Sequence, residues 1–473
     1  MCQIHTLSVF DFKDTAKIAI KNEKTKFSTL KFFHLEKKVY LCRHTDMNRK
    51  ILHIALPSIV SNITVPLLSL VDTTIVGHLG AACYIGAIAV GGMLFNMVYW
   101  LFGFLRMGTG GMTAQAHGAH DATAQLNILV RSLTMALFLA LFLILLQRPL
   151  LLVAFHFVSA SSQVQRLATL YFDILIWGAP AVLSLYSFTG WFLGMQNARF
   201  PMAIAIVQNL VNIAVSTLLV FGLGWKVEGV AIGTLVAQYA GLIMAAVLWL
   251  KRYRQPVYWH DSTLFSRQAF RRFFSVNSDI FLRTLCLIAV TTYFTSAGSA
   301  QGDLTLAANT LLMQFFVIFS YIMDGFAYAG EALGGSFYGA SQCSLFHLLT
   351  RRLFLWGTGL ALLFSAVYFL LGTPLLHLLT SDNAVIVRAR HFLPFVYVLP
   401  LVSFAAFLFD GLFIGTTSTR FMLVSMAVAA AAFFAVILTF PNNNTALWSA
   451  FLLYLGCRGA VQGGLYGRIN KGK

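Results

Sequence analysis

The sequence predicts an all-α membrane protein with twelve transmembrane helices, and three observations support this fold class. Of the 473 residues, 58% are hydrophobic and only 10% are charged, whereas soluble domains average about 45–50% apolar and about 25% charged residues. Apolar stretches of roughly 20–25 residues, the length that crosses a bilayer, follow one another along the chain. The 33 Lys and Arg residues lie mostly in an N-terminal extension and in short loops between these stretches, as the positive-inside rule requires. The basic net charge therefore indicates no nucleic-acid partner.

The first 46 residues differ from the rest of the chain. They are polar and basic, and they lack the apolar core of a signal peptide. The run Met47-Asn48-Arg49-Lys50, directly before an apolar stretch, is typical of the start of a membrane protein. We expect Met47 to be the true start; alternatively, residues 1–46 form a short cytoplasmic tail.

Twelve stretches are predicted to span the membrane. They are residues 51–76, 84–106, 122–147, 168–193, 198–222, 228–250, 276–298, 305–334, 349–371, 388–414, 420–440 and 445–466. The loop between the sixth and seventh is the longest and is rich in Arg, so with twelve spans both termini are expected in the cytoplasm. We therefore divide the chain into an N-lobe (47–250), an interlobe loop (251–275) and a C-lobe (276–473).

An internal repeat relates the two halves at one fixed offset. Gly190-Trp191-Phe192-Leu193-Gly194 matches Gly411-Leu412-Phe413-Ile414-Gly415, at an offset of 411 − 190 = 221. The same offset relates Gly77 to Gly298, Gly118 to Gly339, and Arg199 to Arg420. Six spans per half make the repeats parallel, as in transporters with two pseudo-symmetric lobes around a central cavity. Duplicated halves also occur in channels and membrane enzymes, so the repeat favours transport without excluding them.

We single out four of the acidic residues inside predicted spans, because a charge there costs roughly 2.5–3.5 kcal/mol and usually has a role. Asp72 lies near the end of the first span, downstream of Pro57, which can bend or hinge the helix. We predict that Asp72 binds a proton or sodium ion and that Pro57 is the hinge. The alternative is a carboxylate held by structural hydroxyl or amide groups.

The other three acids lie in the second half. Asp324 and Glu331 are seven residues apart, and therefore share one face of the eighth span. Their counterparts are glycines, so this feature belongs to one lobe only. These two residues and Asp410, together with Asn209 of the fifth span, are candidates for lining or gating the cavity. The alternative for Asp324 and Glu331 is that they tether a neighbouring span. Asp279 and Arg283, four residues apart, are predicted to form a local ion pair.

A polar stripe crosses the fifth span. It comprises Asn209, Asn212 and Ser216, and Thr234 follows in the sixth span. Oxygen atoms of these side chains could complete a hard-cation site with a carboxylate, or could form interhelical hydrogen bonds. We find no clustered catalytic motif and predict neither an enzyme nor a cofactor. No metal is expected beyond a transient Na⁺ at Asp72 and Asn212.

Several motifs in order resemble one family over nearly all of residues 47–470. They are the first span from Pro57 through Asp72 to Gly80, the run from Gly190 to Met202, and the stretches 279–284 and 324–331. Together they resemble the MATE (multidrug and toxic compound extrusion) transporters, and the last two are similar to the DinF-type branch. The resemblance implies two six-helix lobes forming a V around a central cavity. It also implies a monomeric antiporter, in contact with the lipids of the bacterial inner membrane, that exports small cationic or amphipathic compounds in exchange for H⁺ or Na⁺.

The resemblance also assigns an ion site. Asp72 matches the family's coupling acid, and Asn212 and Thr234 match further positions of its N-lobe cation site. Ser216 stands where relatives carry a second acid, which weakens a sodium site and favours protons. An alternative is a lipid or lipid-linked oligosaccharide flippase of the same architecture. The intramembrane charges identified from the sequence are mainly acidic, which suits cationic cargo better.

Overall fold

The computed structural model describes residues 26–78, 82–157, 161–254, 266–441 and 443–469. Most of the predicted tail, 1–46, lies outside this part of the chain, but the first helix already begins at Lys26. The middle of the predicted interlobe loop, residues 255–265, also lies outside it.

The first half of the chain carries the helices α1 to α9. They are α1 (Lys26–Gly77), α2 (Ala82–Leu101), α3 (Phe104–Gly118), α4 (Ala122–Leu145), α5 (Gln147–Phe157), α6 (Ser162–Leu175), α7 (Ala179–Gly194), α8 (Arg199–Thr217) and α9 (Val227–Tyr253). Short irregular turns join α2 to α3 and α6 to α7, and a π-helical turn, Leu218–Gly222, extends α8.

The second half carries six longer helices. They are α10 (Arg267–Ala300), α11 (Asp303–Gly339), α12 (Cys343–Leu379), α13 (Asn383–Gly415), α14 (Thr419–Thr439) and α15 (Asn444–Tyr466). Each predicted span coincides with one helix or with two consecutive helices, and most helices of the second half extend several residues beyond their spans. Two of the predicted spans, the second and the fourth, are each broken into two helices, and α5 was not predicted.

Ten helical segments of the described chain are long and apolar enough to cross a membrane. The first and last passes, α1 and α15, complete the twelve. Both carry polar groups inside the apolar run, such as Asp72 in α1 and Arg458 and Gln462 in α15, which lower their hydropathy. Those groups bind partners inside the protein, because lipid cannot solvate them.

The fold confirms the internal repeat. Outside glycine, four residues of the described chain have a left-handed backbone: His120, Gln196, Ser341 and Thr417. They form two pairs, each 221 residues apart, and each residue follows the end of an equivalent helix. Since a positive φ is uncommon outside glycine, this agreement shows that both halves follow the same backbone path.

Each lobe contains a buried apolar cluster. Tyr171, Phe172 and Leu183 belong to a cluster that lies mostly in the N-lobe and extends to Ile280 and Phe413 of the C-lobe. Phe294, Trp448 and Phe451 belong to the corresponding cluster in the C-lobe. The lobes form the arms of a V around a central cavity, and exposed apolar side chains cover their outer surfaces, as a lipid solvent requires.

Helix α1 contacts both lobes. In the middle of this helix, Ile54 packs in a cluster with Met323 of α11, and the Asn62 side chain donates a hydrogen bond to the Tyr321 carbonyl (3.1 Å). Its second half packs against α8 of the N-lobe. Pro57 and Pro66 lie inside the helix, where each removes a backbone donor and permits bending. Movement of one end of α1 can therefore reach the other lobe.

Candidate functional site

The Asp72 pocket lies inside the N-lobe, near the end of α1. Asp72 is only 6% exposed, and its carboxylate interacts with the side chains of Asn212 on α8 and Thr234 on α9. Asn212 Nδ2 donates to Thr234 Oγ1 (2.8 Å), and Thr234 donates to the Val230 carbonyl (3.0 Å). The structure therefore brings together three residues that the sequence placed in one ion site.

Several oxygen atoms at this pocket lack donors. Asp72 Oδ1, Asn212 Oδ1 and Ser216 Oγ are buried and accept no hydrogen bond from the described residues. Ser216 lies one turn beyond Asn212, with its hydroxyl against Gly233 of α9. Buried polar atoms are usually paired, so this pocket has acceptor capacity that a proton or a small cation can satisfy.

Tyr171 of α6 completes the pocket and was missed from the sequence. Its ring is 4% exposed and lies against Gly91 of α2, which leaves the space for it. It interacts with Asp72 and Thr234. The signal was available, because a tyrosine inside an apolar span brings a polar hydroxyl into the membrane interior.

Glu331 joins the two lobes. It is 0% exposed, and its Oε2 lies 3.5 Å from Nη1 of Arg106 on α3. The Arg106 guanidinium also lies 4.3 Å from the ring centroid of Tyr328. Gly110 of α3 leaves the space that the Glu331 carboxylate occupies. Arg106, at the predicted end of the second span, was not identified as a partner from the sequence.

A cavity lies between the lobes. It has a volume of about 430 Å³ and is lined by Asn96, Met97, Tyr99, Trp100 and Tyr186 of the N-lobe and Ile288, Thr291 and Thr292 of the C-lobe. Its wall residue Tyr186 interacts with Arg106. Asp324, two turns before Glu331 on α11, is half-buried and also interacts with Arg106. Aromatic faces and charged groups therefore meet at the lobe junction.

Asp410 lies in an ion cluster inside the C-lobe. Arg283 of α10 and Arg458 of α15 both bind its Oδ2, and Gln462 Nε2 donates to its Oδ1 (2.6 Å). The predicted Asp279–Arg283 pair is wrong: Arg283 binds Asp410, while Asp279 accepts a hydrogen bond from Thr419 Oγ1 (2.8 Å).

Three arginines inside the protein correct the expectation from the sequence that the intramembrane charges are mainly acidic. Arg106, Arg283 and Arg458 are buried or nearly so, so the interior is not mainly acidic. Asp72 differs from Glu331 and Asp410, because its interacting side chains are neutral.

The remaining predicted residues lie on or beside α1. Asn209 Nδ2 donates to the Thr64 carbonyl (3.0 Å) and so connects α8 to α1 between Asp72 and Pro57. Within the described residues, no group of three His, Cys, Asp or Glu side chains could hold a metal ion. A single carboxylate with amide and hydroxyl oxygens fits a proton or a weakly held monovalent cation.

Comparisons with known proteins agree with this architecture. The MatE family model matches residues 57–218 and 280–440. The DNA damage-inducible protein F of Escherichia coli K12 is 39% identical over 417 residues, covering 88% of this chain and 91% of that protein. A probable multidrug resistance protein NorM of Rhizobium meliloti is 25% identical over an alignment that covers 62% of this chain and 64% of that protein. A crystal structure of a MATE in the bent conformation superimposes with a TM-score of 0.81 at 19% identity, covering 90% of this chain and 96% of that one.

Replacement of Asp410 tests whether its cluster is structural. Asp410→Asn leaves the charges of Arg283 and Arg458 buried without a counter-ion, which costs about 3–5 kcal/mol. We expect a marked fall in the thermal unfolding midpoint of the purified protein in detergent. Asp382→Asn is the matched control at the start of the same helix, since asparagine caps a helix as well as aspartate does. An unchanged midpoint together with lost transport would instead assign Asp410 a role in the transport cycle.

Proposed function

This chain belongs to the MatE family of multidrug and toxic compound efflux transporters, and from this premise we propose that it exports organic cationic or amphipathic compounds in exchange for protons or sodium ions. The observation that carries the proposal is the buried Asp72 carboxylate with its neutral neighbours Asn212 and Thr234. A buried charge with no countercharge is unfavourable, so this pocket is more stable when a proton or cation occupies it.

Occupancy of the pocket is coupled to the lobes through α1. Asp72 lies near the C-terminal end of this helix, whereas Ile54 and Asn62, in its middle, contact α11 of the C-lobe. Pro57 and Pro66 weaken the helix between Ile54 and Asp72. Neutralising Asp72 changes how favourably that end of α1 is buried, and bending at the prolines carries the change to α11.

The cavity supports cationic or amphipathic cargo. Tyr99, Trp100 and Tyr186 offer ring faces, which attract organic cations. Asp324 supplies a half-buried carboxylate at the lobe junction. Because Arg106 lies close to Asp324, bound cargo competes with an internal countercharge, which favours moderate affinity and release.

Protons are favoured over sodium as the driving ion. The pocket offers one carboxylate, with Ser216 in place of the second acid that the resemblance led us to expect. Hard cations prefer several oxygen ligands, including charged ones, whereas a proton needs only the Asp72 carboxylate.

The proposed orientation places both termini in the cytoplasm of a bacterial cell, with the protein in its inner membrane. The end of the lobes that carries Lys251, Arg252, Arg351 and Arg352 then faces inward, as the positive-inside rule requires. A monomer suffices, because one chain supplies the ion pocket, the cavity and α1. The flippase alternative is not favoured, since the relatives are multidrug transporters.

Efflux of a fluorescent lipophilic cation tests the proposed function. Drug-sensitive cells expressing the protein are expected to expel the dye, and Asp72→Asn is expected to reduce efflux to that of cells without transporter, because the amide cannot exchange a proton. The measurement is repeated with the proton gradient collapsed and with sodium removed, and the condition that stops efflux identifies the ion.

The control for this experiment is Asp382→Asn, an equally conservative change outside the site. Membrane levels of each variant are compared by immunoblot. Normal efflux by a well-expressed Asp72→Asn variant would exclude Asp72 as the coupling residue. Absence of efflux from a well-expressed wild type would direct attention to lipid-linked cargo.

Ser216 tests ion selectivity. Ser216→Asp adds a second carboxylate beside Asn212, and one extra charged ligand is expected to lower the half-saturating sodium concentration about tenfold. Ser216→Asn is the control, because it adds similar bulk against Gly233 without charge. If both variants retain the wild-type sodium response, α8 does not contribute to the ion site.

A further inference from the structure

The lobes meet along a seam, formed by the second half of α3 (residues 110–118) and the end of α11 (residues 331–339). A side chain at Gly118 would overlap the Ser336 carbonyl, and one at Gly339 would overlap the Gln115 carbonyl. Both pairs are related by the 221-residue offset, so they are one contact repeated by the pseudo-twofold axis. Small-residue contacts bring helix backbones close without interlocking side chains. The helices can therefore separate without repacking large groups.

Gln115 breaks the symmetry of the seam. Its Nε2 donates to the Gly415 carbonyl (2.9 Å) and to Thr417 Oγ1 (3.1 Å), and its Oε1 accepts from Arg272 Nη2 (2.9 Å). Gln115 belongs to the N-lobe, and two of its partners, Gly415 and Thr417, belong to the C-lobe. The third, Arg272, lies near the start of α10, the helix that continues into the C-lobe. A primary amide is needed for this arrangement, because it donates twice and accepts at one end. The counterpart of Gln115 is Ser336, whose hydroxyl has one donor.

We propose that Gln115 is the positioning residue that holds the two lobes together at the seam end of the cavity. This inference rests on the proposed function, because an alternating-access exporter must close and reopen this end in every cycle. With the proposed orientation, the seam faces the cytoplasm, and Gln115 stabilises the state closed to it. The Arg106–Glu331 pair is a second link from α3 to α11, and it lies deeper in the membrane.

The surroundings of Gln115 suit a reversible contact. A cavity of about 830 Å³ is lined by Gln115, Arg272, Thr417 and neighbouring residues, and the Arg272 side chain is exposed. Water can therefore replace each hydrogen bond as the lobes part, so the net cost of breaking each one is modest. A buried ion pair at this position would be far harder to open.

Two substitutions separate the contributions of the amide. Gln115→Ala removes all three hydrogen bonds. Gln115→Glu has the same shape and still accepts from Arg272, but it cannot donate to Gly415 or Thr417. Both variants are expected to raise the ratio of open to closed molecules at the seam. For Gln115→Ala the expected rise is about tenfold, which corresponds to a loss of about 1.4 kcal/mol of stabilisation from the closed state.

The distance across the seam end measures this ratio directly. Spin labels are attached to Thr123→Cys and Ser344→Cys in a background lacking the native cysteines. These exposed residues lie in the first turns of α4 and α12 and are related by the 221-residue offset. Electron–electron double resonance on the purified protein in nanodiscs measures the distance between the two labels. The labelled protein that retains Gln115 is expected to show mostly the shorter distance of the closed state. A longer distance is expected to gain population in both variants. Gln342→Ala, an exposed glutamine at the same end, is the control and is expected to leave the distribution unchanged.

If Gln115→Ala and Gln115→Glu both give the same distance distribution as the labelled protein that retains Gln115, the proposal is overturned. If Gln115→Ala does not purify as a folded protein, Gln115→Glu and Arg272→Ala remain. Arg272→Ala removes the one hydrogen bond that α10 donates to Gln115 and is expected to give a smaller shift in the same direction. No shift in either variant would again refute the role of Gln115. The measurement needs neither cargo nor coupling ion, so it is independent of the proposed function. A shift in distance without dye efflux by the wild type would support the role of Gln115 and contradict export of cations.

Discussion

The cost of burying charge in a bilayer governs where this protein places its polar groups. Asp410 is balanced by Arg283 and Arg458 inside the C-lobe, and Glu331 by Arg106 at the lobe junction. Asp72 instead interacts with the neutral side chains of Asn212 and Thr234. Uncompensated charge is costly in this environment, and the Asp410 and Glu331 carboxylates each have an arginine partner inside the protein. Asp72 has no such partner, and this difference underlies our proposal that a proton or cation occupies its pocket during transport.

The two halves of the chain share their backbone path but differ in their charged side chains. The helix ends and left-handed residues repeat at the 221-residue offset, but the charged side chains do not. Glu331 corresponds to Gly110, and Arg106 corresponds to Ala327. The Glu331 carboxylate occupies the very space that its glycine counterpart leaves open. A symmetric backbone therefore carries an asymmetric set of contacts. The Asp72 pocket lies in the N-lobe, and the ion cluster around Asp410 lies in the C-lobe.

Much of this arrangement could be predicted from the sequence. Apolar runs of spanning length identify the twelve passes, and the fixed offset of the glycine motifs identifies the repeat, because both signals are local or periodic. The family resemblance brought Asp72, Asn212 and Thr234 together. The breaks within the second and fourth spans were missed, since the apolar run continues through them. Several helices also run beyond the predicted spans at both ends, as α12 (Cys343–Leu379) does beyond 349–371, because polar turns near the membrane surface remain helical.

Contacts between distant helices were the least predictable. The four-residue spacing of Asp279 and Arg283 suggested a local pair, but in the folded protein Arg283 binds Asp410, which is far away in sequence. A local ion pair gains little where solvent competes, whereas a buried carboxylate must be matched, so the distant partner prevails. The same reasoning explains why Arg458 and Gln462 depress the hydropathy of α15: that helix carries the groups that neutralise and hydrogen-bond Asp410. An apolar span that is weaker than its neighbours thus indicates an internal partner, and the buried acid for which it compensates must be sought on another helix.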